Sequence, residues 1–364
     1  MAGVAAFASD NYAPAHPAIL DAVAAANTGH AVSYGDDRWT AHLGEVVRHH
    51  FGDQAQAYPV FNGTGANVVS LGALLPRWGS AIVSDVAHLN TDENAAPERV
   101  AGIKLLPVDA PDGKLTTAAL DRYAANLGDP HRAQALAVSL TQSTELGTVY
   151  SLDEIRQIAD AAHAYGMRVH IDGSRIANAA AYLGVGLGAL TTELGIDAVS
   201  FGGTKNGILL GEAVVVLSPD AVTGLEFMRK TSMQLASKMR YVSAQLAALL
   251  DPEHDLWLHN ATASNARAAQ LRSGVDALAA ELAADGRVHD SGAPLLHVER
   301  PTQANVVFPT LPRSVADAVR AEHRFYDWRP GVHPDLVESR WMCSWDTTAD
   351  DVEAFLSSLR KAFG

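Results

Sequence analysis

From about Thr64 to Leu217 the chain alternates short β-rich apolar runs with helical patterns. That alternation predicts a mainly parallel sheet wrapped by helices, an α/β fold. Six runs read as strands: Ala81 to Ser84, Ile103 to Val108, Leu136 to Leu140, Arg168 to Ile171, Ala198 to Phe201 and Ala213 to Leu217. Most are continuously apolar, as strands covered on both faces must be. Ser151-Leu-Asp-Glu154 reads as a capping box that opens a helix running to Gly166. Leu225 to Leu250 reads as one long helical segment ending before Asp251-Pro252. Beyond it, helical patterns mix with strand-like pieces at Asn305 to Phe308 and Arg340 to Ser344. The expected organisation is an N-terminal segment with a large domain over residues 1–254 and a smaller α/β domain over 255–364.

Charge and composition narrow the partners. The net charge is −14 and no basic run occurs, which argues against nucleic acid or an anionic membrane surface as ligand. Cys343 is the single cysteine, so no intramolecular disulfide forms and no cysteine cluster supports a structural zinc site. The start, MAGVAAFASDN, lacks a basic flank and a long apolar stretch. The longest apolar run, Ile208 to Leu217, is broken by Gly211 and Glu212 and is too short to span a bilayer. These features set the expectation of a soluble, cytoplasmic protein without a resident metal.

The chemistry begins at His170-Ile-Asp-Gly-Ser-Arg175, where an apolar strand ends in a carboxylate. Ligands of open α/β sheets bind at such strand ends. Alone, an aspartate there caps the next turn as readily as it catalyses. A second apolar strand runs into Phe201-Gly-Gly-Thr-Lys205-Asn-Gly207, which sets an amine among glycines that let backbone approach a ligand. A lysine able to form an imine, with an aspartate one strand away to pair with a pyridinium nitrogen, is what pyridoxal phosphate requires of its protein. Phe61-Asn-Gly-Thr-Gly-Ala-Asn67 adds small residues and a hydroxyl just before a helical run, a cradle for phosphate at a helix start. It is not a Walker loop, since no lysine follows the glycines.

These elements, in this order, resemble fold-type I pyridoxal-phosphate enzymes, and in detail the threonine aldolase family. The resemblance covers nearly the whole chain. It rests on Ser9-Asp10-Asn11, Tyr34-Gly35-Asp36-Asp37, Gly63-Thr64, Ala87-His88, His170 to Arg175, Thr204-Lys205 and Lys238-Met239-Arg240. Residue by residue, it implies that Lys205 carries the cofactor as an imine, Asp172 pairs with the ring nitrogen, His88 stacks on the ring and Arg175 lies beside the phenolic oxygen. Gly63, Thr64, Gly65 and Thr204 are implied to face the phosphate. Arg240 adds charge there, from its own or a neighbouring subunit. Ser9 and Arg340 are implied to hold the substrate carboxylate, and Tyr34 to reach in across an interface of a homodimer or homotetramer. The activity implied is reversible cleavage of a β-hydroxy-α-amino acid to glycine and an aldehyde.

One departure stands out. Many members carry a histidine where this chain has Glu145, in Ser143-Thr-Glu-Leu146. A carboxylate is a shorter, anionic acceptor, so contacts to the substrate hydroxyl change there. The base for that hydroxyl is expected to be His88, or a water held by Glu145 or His88. The rivals are a β-eliminating lyase, a glycine-transferring transaldolase and a non-catalytic cofactor-binding regulator. An NAD-linked dehydrogenase is disfavoured, because no Gly-x-Gly-x-x-Gly follows an early strand.

Overall fold

A computed structural model describes residues 6–364, so the first five residues of the MAGVAAFASDN start lie outside it. The chain divides into two compact units. The larger comprises Ala15–Glu145 and Val149–Leu258, and the smaller comprises residues 6–14, Leu146–Thr148 and His259–Gly364.

The larger unit is built on seven strands: β1 (Gln56–Val60), β2 (Gly79–Ser84), β3 (Lys104–Val108), β4 (Gln134–Thr141), β5 (Arg168–Gly173), β6 (Ala198–Gly202) and β7 (Glu212–Val216). Their order across the sheet is β1-β7-β6-β5-β4-β2-β3. The run from β3 to β6 is parallel throughout, while β7 is antiparallel to both β6 and β1. Every residue of β2, β6 and β7 is buried, which accounts for their unbroken apolar reading. All six expected strands are present. The seventh, β1, carries Pro59, and it lies at the sheet edge, where a missing N–H breaks no ladder.

Helices cover the sheet as the sequence requires. Ser151 and Glu154 form the reciprocal capping box, and the helix they open, Leu152–Ala164, is stopped by Gly166 at φ 71°. The segment expected as one helix is two, Leu225–Thr231 and Arg240–Leu249, interrupted where Met233 takes φ 59°. A residue with a β-carbon at that angle cannot continue a right-handed helix.

The smaller unit packs β8 (Val306–Val307), β9 (Thr310–Pro312), β10 (Tyr326–Pro330) and β11 (Leu336–Met342) with the helices Leu256–Ala284, Arg313–Arg320 and Ala349–Phe363. Its core holds Phe7, Trp341 and Phe355, all fully buried. The N-terminal segment is tied in by backbone bonds from Met342 N to Phe7 O and from Phe7 N to Arg324 O, each 2.8 Å. Among the described residues, no helix is long and apolar enough to cross a membrane.

Candidate functional site

Topology alone gathers the chemistry. Because β2, β4, β5 and β6 run the same way, their carboxyl ends share one edge of the sheet, where such folds bind ligands. From those ends come His88 after β2, Glu145 after β4, Asp172 within β5 and Lys205 after β6. The antiparallel β7 begins at that edge, with Glu212 opposite Gly202, and β1 ends there, with Val60 opposite Glu212. The helix Gly63–Leu74 therefore starts at the same edge.

Asp172 is buried and well partnered. Its Oδ1 accepts from Ser174 N at 3.0 Å and Ser174 Oγ at 2.7 Å, and its Oδ2 accepts from Asn67 Nδ2 at 2.9 Å. Burial alone pushes this carboxyl up, but the Ser174 bonds, the Lys205 charge and the Asn67 bond together hold it below the usual aspartate range. Asp172 thus stays ionised, and Oδ2 keeps capacity to accept a further proton donor.

Lys205 sits in a single 3-10 turn, Thr204–Asn206, directly after β6. The glycines before it have a steric cause. A β-carbon on Gly202 would collide with the Ser174 carbonyl, and one on Gly173 would stand 2.9 Å from the Ser200 carbonyl. The aspartate turn and the lysine loop therefore meet backbone to backbone, and only glycine permits it. Thr204 Oγ1 donates to Gly211 O at 3.1 Å, which braces the loop from the other side.

His88 opens the short helix His88–Thr91, with its side chain partly exposed. Its Nδ1 lies 2.9 Å from Glu93 Oε1, and that bond raises its pKa above the ordinary histidine value despite burial and the nearby Lys205 charge. Glu145 is partly buried. Its Oε1 accepts the His88 N–H at 2.7 Å, while Oε2 has no hydrogen-bond partner. Burial, with the Asp172 charge second, pushes Glu145 up to about 7. A carboxyl in that range holds and releases a proton near neutrality.

At the start of the helix Gly63–Leu74, Asn62 Oδ1 accepts the Gly65 N–H at 2.8 Å. The N–H groups of Gly63 and Thr64 have no acceptor among the described residues, so this helix end offers donors to an anion. Gly65 plays a further part: the Gln234 side chain fills the space where its β-carbon would stand, and Gln234 Oε1 accepts the Phe61 N–H at 2.9 Å. Arg175 occupies the N-cap position of the helix Ile176–Leu183, three residues beyond Asp172, without a side-chain capping bond.

Other expected residues have different surroundings. Arg240 Nη1 donates to the carbonyls of Thr28 and Gly29 at 3.3 and 3.1 Å. Tyr34 takes φ 65°, is half exposed, and has Lys230 Nζ 5.0 Å from its ring centroid. Ser9 and Arg340 belong to the smaller unit. There Ser9 Oγ caps Asn11 N at 3.2 Å, and Arg340 Nη2 donates to Ala8 O at 3.0 Å, one residue from Ser9. The Arg340 guanidinium also lies over Trp328, 5.2 Å from its centroid.

Sequence reasoning assigned no role to three groups in this cluster. Asn67 and Glu93 surround Asp172 and His88. Glu212 accepts the Gly203 N–H at 2.6 Å and is pushed up to about 7, chiefly by burial. The signal for Glu212 was a lone acid in an otherwise apolar strand run, since a buried carboxyl persists only where donors meet it.

Over 359 residues, covering 98% of both chains, the sequence is 38% identical to the low specificity L-threonine aldolase of Pseudomonas aeruginosa. The chain belongs to the threonine aldolase family. The model of the beta-eliminating lyase family matches residues 6–295, and the chain is accordingly a lyase. The fold is similar to that of a threonine aldolase from Leishmania major, with a TM-score of 0.88 at 24% identity over 98% of this chain and 99% of that one. It is also similar to a structure of SPT with PLP internal aldimine, with a TM-score of 0.64 at 17% identity over 98% and 86% of the two chains. At these identities, both likenesses speak to the fold alone.

Proposed function

We propose that this lyase is a pyridoxal-phosphate-dependent aldolase that cleaves threonine, allo-threonine or a related β-hydroxy-α-amino acid such as phenylserine, reversibly, to glycine and an aldehyde. The observation that carries the reading is the buried Asp172, hydrogen-bonded by Ser174 and Asn67, at the same sheet edge as Lys205 and beside a helix start with free N–H groups. The donor set fits the cofactor: an amine for its aldehyde, a carboxylate with room for one more proton donor, and the Gly63 and Thr64 N–H groups for its phosphate. Bound there, pyridoxal phosphate supplies an electron sink for the charge left on the substrate α-carbon.

This chain's residues do the rest. Lys205 anchors the cofactor, and Asp172 Oδ2 holds the proton at the ring nitrogen. Thr204 and Arg240 join the phosphate contacts, and Arg175 stands by the phenolic oxygen. His88 covers the ring and, with Nδ1 committed to Glu93, has Nε2 left to take the β-hydroxyl proton. Glu145, titrating near 7, is the second proton store at that position. Ser9 and Arg340 bind the substrate carboxylate, and Tyr34 serves the site of a neighbouring copy in a homodimer or homotetramer. The cytoplasm is the compartment that suits this chemistry.

The matched family model is that of beta-eliminating lyases, which favours β-elimination as the second reading. Products separate the two: aldol cleavage releases glycine and an aldehyde, whereas elimination releases a keto acid and ammonia. The test incubates the purified protein with pyridoxal phosphate, treats it with borohydride and maps the modified peptide, alongside glycine release from threonine, allo-threonine and phenylserine. Label is expected on Lys205, and Lys205→Ala is expected to lose both label and turnover. Label on another lysine, or a colourless protein that takes up no cofactor, refutes the proposal.

A further inference from the structure

Asn67 lies on the second turn of the helix Gly63–Leu74 and is 1% exposed. Its Nδ2 donates to Asp172 Oδ2 and to Glu93 Oε1, each at 2.9 Å. The same Glu93 oxygen meets His88 Nδ1 at 2.9 Å. Both hydrogens of one amide are thus committed to two buried carboxylates, while Asn67 Oδ1 has no partner. Turning the amide over would set its oxygen against both carboxylates, so charge fixes its orientation. The backbone that delivers Glu93 is itself constrained: the next two residues, Asn94 and Ala95, take φ 48° and 58°. Alanine avoids that region, and such strain persists where the surrounding structure requires it.

We propose that Asn67 and Glu93 are positioning residues. They form a carboxylate–amide–carboxylate bridge that holds Asp172 and His88 in one hydrogen-bonded unit and commits His88 Nδ1 to Glu93. The inference rests on the reading that Asp172 and His88 flank the cofactor. The groups that act on the His88 imidazole are Glu93 and Asp172, which favour its charged form, and Lys205, which opposes it; Glu145 meets its backbone N–H. The Asn67 amide presents its positive end to Glu93 and Asp172. Removing it takes away a positive potential and leaves the Glu93 carboxylate leaning on His88 Nδ1 without the Asn67 donor. Both effects make His88 harder to deprotonate.

The test follows the His88 ring resonance by NMR in the full chain before and after addition of pyridoxal phosphate, identifying the signal by its loss in His88→Phe. Asn67→Leu is expected to raise the His88 midpoint by about half a pH unit or more. It is also expected to weaken pyridoxal phosphate binding about fivefold and to shift the absorption of the bound cofactor as Asp172 loses its tether. Glu93→Gln is expected to lower the midpoint, and in that background Asn67→Leu should have little further effect. A purely structural Asn67 would lower stability and leave the His88 midpoint unchanged, and that result overturns the bridge. Should Asn67→Leu not fold, an unchanged His88 midpoint in Glu93→Gln overturns it equally. A wild-type chain that takes up no pyridoxal phosphate would instead refute the cofactor reading, leaving the cofactor-free titrations to judge the bridge.

Discussion

Replacing Glu145 with glutamine should make the protein more stable in alkali and less active, and the size of the first effect follows from the site. Glu145 is partly buried, its Oε2 is shut off from solvent without a hydrogen-bond partner, and burial with the Asp172 charge moves its pKa from 4.5 to about 7. In the open chain the same carboxyl loses its proton near 4.5. Between these values the folded protein binds more protons than the unfolded one, so stability falls as pH rises through the window, and the full penalty is present above 7. At 1.36 kcal/mol per pH unit, the ionised form costs about 3 kcal/mol in the fold. The substituted glutamine keeps an oxygen for the His88 N–H and cannot ionise. Urea unfolding of the full chain at fixed protein concentration should therefore show Glu145→Gln more stable than the parent by up to about 3 kcal/mol at about pH 8.5, and by under about 1 kcal/mol at about pH 5. Aldol turnover should fall in the same variant, with loss of any inflection near pH 7. An equal stability change at both pH values, or destabilisation in alkali, would refute the argument that Glu145 is held protonated by its surroundings.

Asp172→Asn keeps the shape of the side chain but loses the negative charge. A hydrogen bond to a charged partner contributes about 1.5 to 3 kcal/mol, so kcat should drop about ten- to a hundredfold while pyridoxal phosphate still binds; steady-state kinetics near the parent value would contradict the role. Glu212→Ala removes the acceptor of the Gly203 N–H beside the lysine loop. It should cost about 1 to 3 kcal/mol in urea unfolding and weaken cofactor uptake, with Glu212→Gln retaining most of both. An alanine variant with unaltered cofactor titration would show that the loop holds Lys205 without this latch.

Much of the fold was legible because its signals are local. Continuous apolar runs marked β2 to β7, and the Ser151–Glu154 box marked a helix start, since each depends on residues a few positions apart. Lys205 and Asp172 were legible for a related reason: each follows or ends a buried strand next to glycines, and parallel strands must bring such ends to one edge. The strand β1 was not, because Pro59 masks its pattern and only the edge position makes the proline harmless. Nor was the break at Met233 within the segment read as a single helix.

Composition and spacing alone determined an α/β chain with a lysine–aspartate pair poised for carbonyl chemistry. Only the tertiary structure decided the proton inventory around that pair. It brought Asn67, Glu93, Glu145 and Glu212, which come from four separate segments, to one sheet edge. It also carried Phe7 into a core with Trp341 and Phe355. Periodicity reports which side of an element faces inward, whereas the ionisation of a buried carboxyl depends on donors and charges brought near it from distant parts of the chain.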